Sequence, residues 1–176
     1  KKNHNLYDCV IPVSGGKDST WLVLNAMKYN LKPLCVSWKT PGRNEIGSKN
    51  LNNLINLGVS HIDFTVDPKL EKKFILKSFI KYGEPLIPMH MAIHAIPVQV
   101  ATFFKIPLVI WAENSRNEYG SKKIKLDEKY MTNIWRKLFG NTKSTSHKDW
   151  IDKDMSLKDL SPYAWISEKI KRKKNI

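Results

Sequence analysis

Residues 14 to 20 read S-G-G-K-D-S-T, between the apolar run Val10 to Val13 and a second run that begins W-L-V-L-N-A-M-K-Y at Trp21. Two glycines between a β-branched run and a helical pattern mark a strand, a tight loop and a helix. Such a junction suits an anion. Glycine lets backbone N–H groups approach it, and the first helical turn, expected from about Ser19, presents unpaired N–H groups and the positive end of the helix dipole. Phosphate is the expected guest. A Walker A loop is excluded, because Ile11 and Asp18 stand where it needs Gly and Ser or Thr. The dinucleotide fingerprint is excluded too, because Lys17 replaces its second Gly.

What remains is S-G-G-K-D-S. With residue frequencies of about 7% each, six fixed positions would arise by chance in a chain of this length roughly once in fifty thousand sequences. The string resembles the signature of the PP-loop ATP pyrophosphatases. That resemblance implies that the loop grips the pyrophosphate part of ATP while the α-phosphate is attacked, giving an adenylated substrate and free pyrophosphate. Backbone N–H groups of Ser14, Gly15, Gly16, Lys17 and Asp18, and the hydroxyls of Ser14, Ser19 and Thr20, would cradle phosphate, with Lys17 as a point charge. Asp18 repels phosphate, so its sensible role is to hold Mg²⁺ against the pyrophosphate. The plainer reading of Asp18 is a first-turn carboxylate favoured by the helix dipole.

The elements that must position this loop alternate strand and helix. Strands are expected at 7–13, 33–38, 61–66 and 107–112, and helices at 19–29, 45–57, from Asp67-Pro68 to Gly83, and 89–104. Buried, non-alternating strands in repeated β-α-β order argue an α/β fold: a three-layer parallel sheet with helices on both faces. In the resembling superfamily this is the adenine nucleotide alpha hydrolase-like architecture. The loops after Val13, Trp38, Val66 and Ala112 should then share one crevice beyond the strand ends. Residues 1–120 are expected to form the PP-loop domain and 121–176 an irregular, helical extension of it. That extension should hold a helix over about Glu128 to Phe139 and a last one from Ser161-Pro162 into the basic tail.

The chain has 176 residues, 41% hydrophobic and 26% charged, the balance of a globular protein rather than a disordered one. Apolar stretches such as I-P-L-V-I-W-A at 106–112 fall short of a membrane span, and no signal peptide opens the sequence, so a cytoplasmic protein with no membrane partner is expected. Cys9 and Cys35 sit in buried strands and form no metal framework. Thirty Lys and Arg against sixteen Asp and Glu leave +14, the balance of a nucleic-acid binder. A polyanionic small substrate with ATP would favour the same surface, and the densest cluster, E-K-I-K-R-K-K-N-I, suits a solvated tail.

Three stretches narrow the resemblance. S-W-K-T-P-G-R-N-E-I-G-S-K-N-L-N-N-L-I-N-L-G (37–58), Y-G-E-P-L-I-P-M-H (82–90) and P-L-V-I-W-A-E-N-S-R-N-E-Y-G (107–120) look like the N-acetyl sugar amidotransferases of bacterial surface-polysaccharide and flagellin-glycan biosynthesis. The family is thought to adenylate an acetamido oxygen with ATP and let ammonia displace AMP, giving an acetamidino sugar. The implied partners are the N-acetylated sugar and glutaminase and synthase-type subunits supplying ammonia; a homo-oligomer is left open, and nucleic acid is not expected. Family members commonly carry a cysteine-bearing segment ahead of the first strand and a longer body after E-Y-G, neither of which is evident in these residues.

The resemblance assigns further residues. E-N-S-R-N-E-Y-G is similar to the G-T-x-N-x-x-E stretch of NAD synthetases, which makes Glu118 a candidate Mg²⁺ ligand, Glu113 a candidate for orienting substrate or ammonia, and Asn114 a substrate contact. Trp38, Lys39 and Thr40 follow the second strand, where PP-loop enzymes hold adenine and ribose; Trp38 fits the core equally well. His90 is expected as a sugar-pocket hydrogen-bonding or acid–base group. His90 and His94 share a helix face at zinc spacing, but no third ligand is visible. Arg43 could grip an anionic substrate bidentately, or lie on the surface. A tRNA-modifying PP-loop enzyme adenylating a base carbonyl is the competing reading, favoured by the charge.

Overall fold

Three of the apolar runs pair as parallel strands in the computed structural model, which describes residues 6–112 and 132–167. Strands β1 (Cys9–Pro12), β2 (Pro33–Trp38) and β3 (Ser60–Phe64) lie in the order β1-β2-β3, with Val10 opposite Leu34 and Val36 opposite Ile62. The stretch at 107–112, expected as a fourth strand, meets the other side of β1 through one parallel bridge, Val10 to Val109. Val10 N–H donates to the Leu108 carbonyl (2.8 Å) and Ile110 N–H to the Val10 carbonyl (2.9 Å). The ladder stops there because the next inward donor on β1 would be Pro12, which has no N–H.

Alternation across the strands sorts the helices into two layers. Cys9, Ile11 and Cys35 pack on Val23 and Ala26 of α1 (Lys17–Lys28) and Leu51 and Leu54 of α2 (Glu45–Ile55). Val10, Leu34 and Val36 face the opposite way, onto Phe74 of α3 (Pro68–Tyr82) and Ile87, Met91 and Ile96 of α4 (Ile87–Phe104). The fold is therefore an α/β parallel sheet covered on both faces, as expected. Both cysteines are free thiols inside it, and burial pushes their pKa values up to about 11 and about 12.

Local signals set the ends. Asn44 accepts the Gly47 N–H (2.8 Å) at the start of α2, and Asp67 accepts the Lys69 N–H (2.9 Å) at the start of α3 with Pro68 behind it. Gly83, at φ 67°, closes α3. Helix α1 begins at Lys17, two residues ahead of the expected Ser19, so the loop is shorter than the pattern suggests. Helix α4 is 18 residues long with a mean hydropathy of 1.3, enough by length and composition to cross a membrane, contrary to the expectation that no apolar stretch reaches such a span. Its apolarity has another use: 61% of it is buried, and it spans the core from Ile87 to Ala101.

The C-terminal third departs most from expectation. Helix α5 (Asn133–Phe139) opens at Thr132, whose Oγ1 accepts the Trp135 N–H (3.0 Å), later than the expected Glu128; residues 113–131 lie outside the described ones. Ser161-Pro162 does not cap a long helix. Ser161–Tyr163 forms one 3₁₀ turn, and Ala164 is already extended. The reason is visible in Gln99 of α4, whose Nε2 donates to the carbonyls of Ser161 (3.0 Å), Pro162 (3.3 Å) and Ala164 (2.8 Å), taking acceptors that a helix would use. Trp150, Met155, Leu160 and Tyr163 fill the same core as α3 and α4, and the Phe74 ring lies 4.9 Å from Trp150 and 5.0 Å from Tyr163.

Candidate functional site

A cleft of about 540 Å³ opens beyond the carboxyl ends of the strands. Pro12 of the first strand and Val13 just after it, Val36 to Trp38 of the second, and Trp111 and Ala112 beside them form its floor; Met89, His90, Ile93 and His94 of α4 form a wall. The loops after Val13 and Trp38 converge as expected, the one after Val66 borders a different cleft, and the one after Ala112 lies outside the described residues.

Ser14, Gly16, Asp18 and Ser19 border the cleft from the loop. Gly15 takes φ 80°, and Gly16 is the N-cap of α1 with no side-chain cap. The N–H groups of Lys17, Asp18 and Ser19 therefore have no carbonyl within the helix and no capping side chain, unlike those of α2 and α3. The hydroxyls are less free than expected. Ser19 Oγ and Thr20 Oγ1 both donate to the Gly16 carbonyl (3.1 and 2.9 Å), while Ser14 Oγ accepts the Gly16 N–H (3.3 Å). Thr20 and Gly15 do not border the cleft, so Gly15 shapes the loop and Ser14 keeps the hydroxyl proton available to a ligand. Lys17 does not border it either; its Nζ sits 3.1 Å from Asp18 Oδ1 in an exposed pair. Mg²⁺ fits this set, since it binds through one or two carboxylates plus phosphate oxygens, and Asp18 is a carboxylate at the cleft. Among the described residues no group of three or more His, Cys, Asp or Glu could hold a metal by itself.

His90 Nδ1 lies 2.9 Å from the Leu86 carbonyl, which can only accept, so Nδ1 carries the proton and Nε2 keeps its lone pair. Burial holds its pKa below the ordinary histidine value, against the opposing pull of the Leu86 carbonyl and Glu84, and the ring is neutral at pH 7. His94, expected as its zinc-spaced neighbour, borders the same cleft but is 2% exposed and edge-on to Trp111 and Trp135. Burial, then the Arg136 charge and His90, push it down to about 3, so it stays neutral. Pro97, one turn further along α4, brings no N–H to the Ile93 carbonyl, and both residues border the cleft.

Arg43 borders the cleft but its fork is engaged. Nη1 and Nη2 donate to Asp63 Oδ2 (2.6 Å) and Oδ1 (2.9 Å), so the bidentate carboxylate expected from a substrate is the chain's own. Burial pushes the Asp63 pKa up, but the hydrogen bonds from Arg43 and Ser37 and the Arg43 charge outweigh it, and the net shift is downward. An ionised Asp63 only accepts, so the Ser37 hydroxyl donates to Oδ1 (2.8 Å) and must itself accept Nε2–H of His61 (2.8 Å). Burial, with the Arg43 charge, lowers the His61 pKa against the pull of Asp63. The sequence reading missed Ser37, His61 and Asp63, although H-I-D in a strand puts His61 and Asp63 on one side of the sheet by the two-residue period.

A second cleft of about 570 Å³ lies between α2, β3 and the start of α3, bordered by Lys39, Arg43, His61, Asp63 and Glu71. Lys39, expected at adenine, borders this cleft and not the first. Trp38 borders the first, and its indole nitrogen is buried. Glu113, Asn114 and Glu118 lie outside the described residues.

No protein-family model matches the chain, and no curated protein does. Solved structures similar to it include a predicted subunit of tRNA methyltransferase from Methanocaldococcus jannaschii, at 21% identity over 70% of this chain and 60% of that one, with a TM-score of 0.45. Another is NMN synthetase from Francisella tularensis, at 20% identity over 65% of this chain and 49% of that one, with a TM-score of 0.49. The chain thus spans less than two thirds of either protein. Likenesses at this level do not carry a function from one protein to another.

Proposed function

We propose that the chain is an ATP-dependent, AMP-forming enzyme of the PP-loop type, and that it converts the acetamido group of an N-acetylated sugar into an acetamidino group. The observation that supports the ATP half is the uncapped N-terminus of α1, where the N–H groups of Lys17 to Ser19 and the helix dipole meet a cleft bordered by Asp18. The sugar half is supported by the three stretches at 37–58, 82–90 and 107–120, each of which supplies cleft residues: Thr40 and Arg43, His90, and Trp111.

An acetamide is a poor electrophile. Its oxygen attacks the α-phosphorus of ATP, the bond to the β-phosphate bridging oxygen breaks, and pyrophosphate leaves; ammonia then adds to the imidate carbon, and the C–O bond to AMP breaks. Positioning and charge neutralisation are the tasks left to the protein. The loop N–H groups hold the pyrophosphate oxygens, and Mg²⁺ held by Asp18 would supply further neutralisation there. His90, neutral with Nε2 free, accepts the proton that ammonia sheds as it adds. Ammonia would come from a glutaminase with a synthase-type subunit, in the cytoplasm.

The +14 charge favours a second reading, adenylation of a base carbonyl in tRNA. One assay separates the two: ATP turnover with Mg²⁺, ammonium chloride and either N-acetylated nucleotide sugars and nonulosonic acids or bulk tRNA. AMP and pyrophosphate appearing only with a sugar, with a product about one mass unit lighter, support amidination. Stimulation by tRNA alone replaces it with the second reading.

A further inference from the structure

Glu71 is 3% exposed, has no ion pair among the described residues, and its Oε1 has no hydrogen-bond partner. It borders the second cleft one turn into α3, where every other charged group is either compensated or at the rim. Asp63 is taken by Arg43 and Ser37, His61 is joined to Ser37, and Lys39 is exposed. Two more buried groups without partners flank Glu71: the Trp38 indole N–H, from a residue that borders the ATP cleft, and the Tyr163 hydroxyl. Thr40 and Arg43 border both clefts, so the two share a wall at the segment after β2.

A buried carboxylate with no cation on it among the described residues, beside apolar walls from Leu51, Ile55 and Val66, is the complement of a small ammonium group. We propose that the second cleft binds the amine nucleophile, as ammonium or a small primary ammonium ion, on Glu71, which takes its proton before it passes to the ATP cleft. The step balances: the N–H bond breaks, its electron pair becomes the nitrogen lone pair, and the proton forms the O–H of the Glu71 carboxyl. A neutral carboxyl suits that surrounding, since burial pushes Glu71 up to about 7 against the opposing Trp38 indole, which stands short of hydrogen-bonding geometry. Arg43 and Lys39 from the loop after β2, His61 and Asp63 from β3 and Tyr163 from the C-terminal turn also face this region. Asp63 and His61 are held below their ordinary values, and burial pushes Tyr163 up, so Glu71 is the group that changes charge near neutrality. Ammonium competes with the proton there and binds more tightly as pH rises through about 7. Its binding stands apart from the proposed amidination; its use as nucleophile rests on that reading.

The test is thermal unfolding of the wild type and Glu71→Gln in ammonium or methylammonium chloride against sodium chloride of equal strength, at pH 6 and pH 8. An upward shift in the wild type that is larger at pH 8 and absent in the variant supports the site; equal shifts in both overturn it. Carbon-13 titration of the Glu71 carboxyl in the wild type covers a variant that fails to fold, and an apparent pKa unmoved by ammonium is equally fatal. In parallel, ATP–pyrophosphate exchange with an N-acetylated sugar is read without ammonium. Exchange retained in Glu71→Gln, together with a KM for ammonium raised at least tenfold and an unchanged KM for ATP in ammonium-dependent AMP formation, supports the nucleophile role. Exchange absent from both proteins refutes the amidination, while the ammonium titrations still decide the site.

Discussion

A Cβ added to Gly15 would stand 2.9 Å from the backbone nitrogen of Leu51. The S-G-G-K-D-S loop therefore rests directly on the backbone of α2, at a residue whose φ of 80° already favours glycine. Gly15→Ala should lose about 1–2 kcal/mol from the left-handed conformation and, because backbone cannot yield like a side-chain tip, should push the loop off α2. ATP affinity is expected to fall at least tenfold in an equilibrium binding measurement. Gly58→Ala is the control: φ is 93° but no atom lies within 4 Å, so stability should drop with ATP affinity unchanged.

Asp18 is 70% exposed at its side chain and bears on the fold through a surface pair with Lys17 and its place in the first turn of α1, each a small contribution. Asp18→Asn should keep the melting temperature within about 2 °C of the wild type, as surface substitutions do, and abolish Mg²⁺-dependent AMP formation. Wild-type turnover in this variant would remove Asp18 from the site.

Arg43 and Asp63 form a two-pronged ion pair with the Arg43 side chain 12% exposed and that of Asp63 31% exposed. Removing either one strands the other, so Arg43→Ala and Asp63→Ala should each cost about 1–3 kcal/mol, and the double variant should cost less than their sum. Urea denaturation of the three proteins measures the coupling; strict additivity would mean that the pair is not a stabilising unit. The Asp63 pKa is depressed, so its contribution is present above the unfolded value of 3.8 and is lost as pH falls through the lower folded value.

The sequence carried the frame well because periodicity and breakers report backbone conformation directly. V-I-P-V before S-G-G, Asp67-Pro68 and Gly83 each marked an end that the structure keeps. Charge networks were less legible. Arg43 looked free because its partner lies twenty residues away on a neighbouring strand, and nothing in P-K-L-E-K-K singles out Glu71, whose helix face turns inward beside Phe74 and Ser78. Trp150, Met155, Leu160 and Tyr163 were hidden for another reason: bends and 3₁₀ turns bury residues at no fixed period, so a period-based reading assigns them to an irregular extension.

Glu71 should leave a signature in pH-dependent stability. Its pKa rises from 4.5 to about 7 on folding, so between those values the native state keeps a proton that the unfolded chain releases. Stability contributed by this group is therefore fully present below pH 4.5 and is lost as pH rises through about 7, by about 3 kcal/mol in all. Glu71→Gln should gain on the wild type by that amount between pH 5 and pH 8 in chemical denaturation. A difference curve that stays flat would show that Glu71 is ionised without cost, and would remove the reason for a cation beside it.

Tyr163 is 0% exposed and lies edge-on to Phe74, while the two N–H groups of the Gln99 amide, shared among three carbonyls, hold the turn that carries it. If residues 150–163 are core rather than appendage, Tyr163→Ala should cost about 3–5 kcal/mol, the range for emptying a large buried aromatic site. Gln99→Leu should cost about 1–3 kcal/mol by orphaning carbonyls at that turn. Because Tyr163 packs on α3 and α4, and Trp150 on Phe74 beside it, both substitutions should lower the whole cooperative transition rather than split off an early one. Far-ultraviolet circular dichroism and tryptophan fluorescence should then melt together in each variant. Separate transitions would instead describe a docked segment that unfolds on its own and leaves the cleft beside α1 intact.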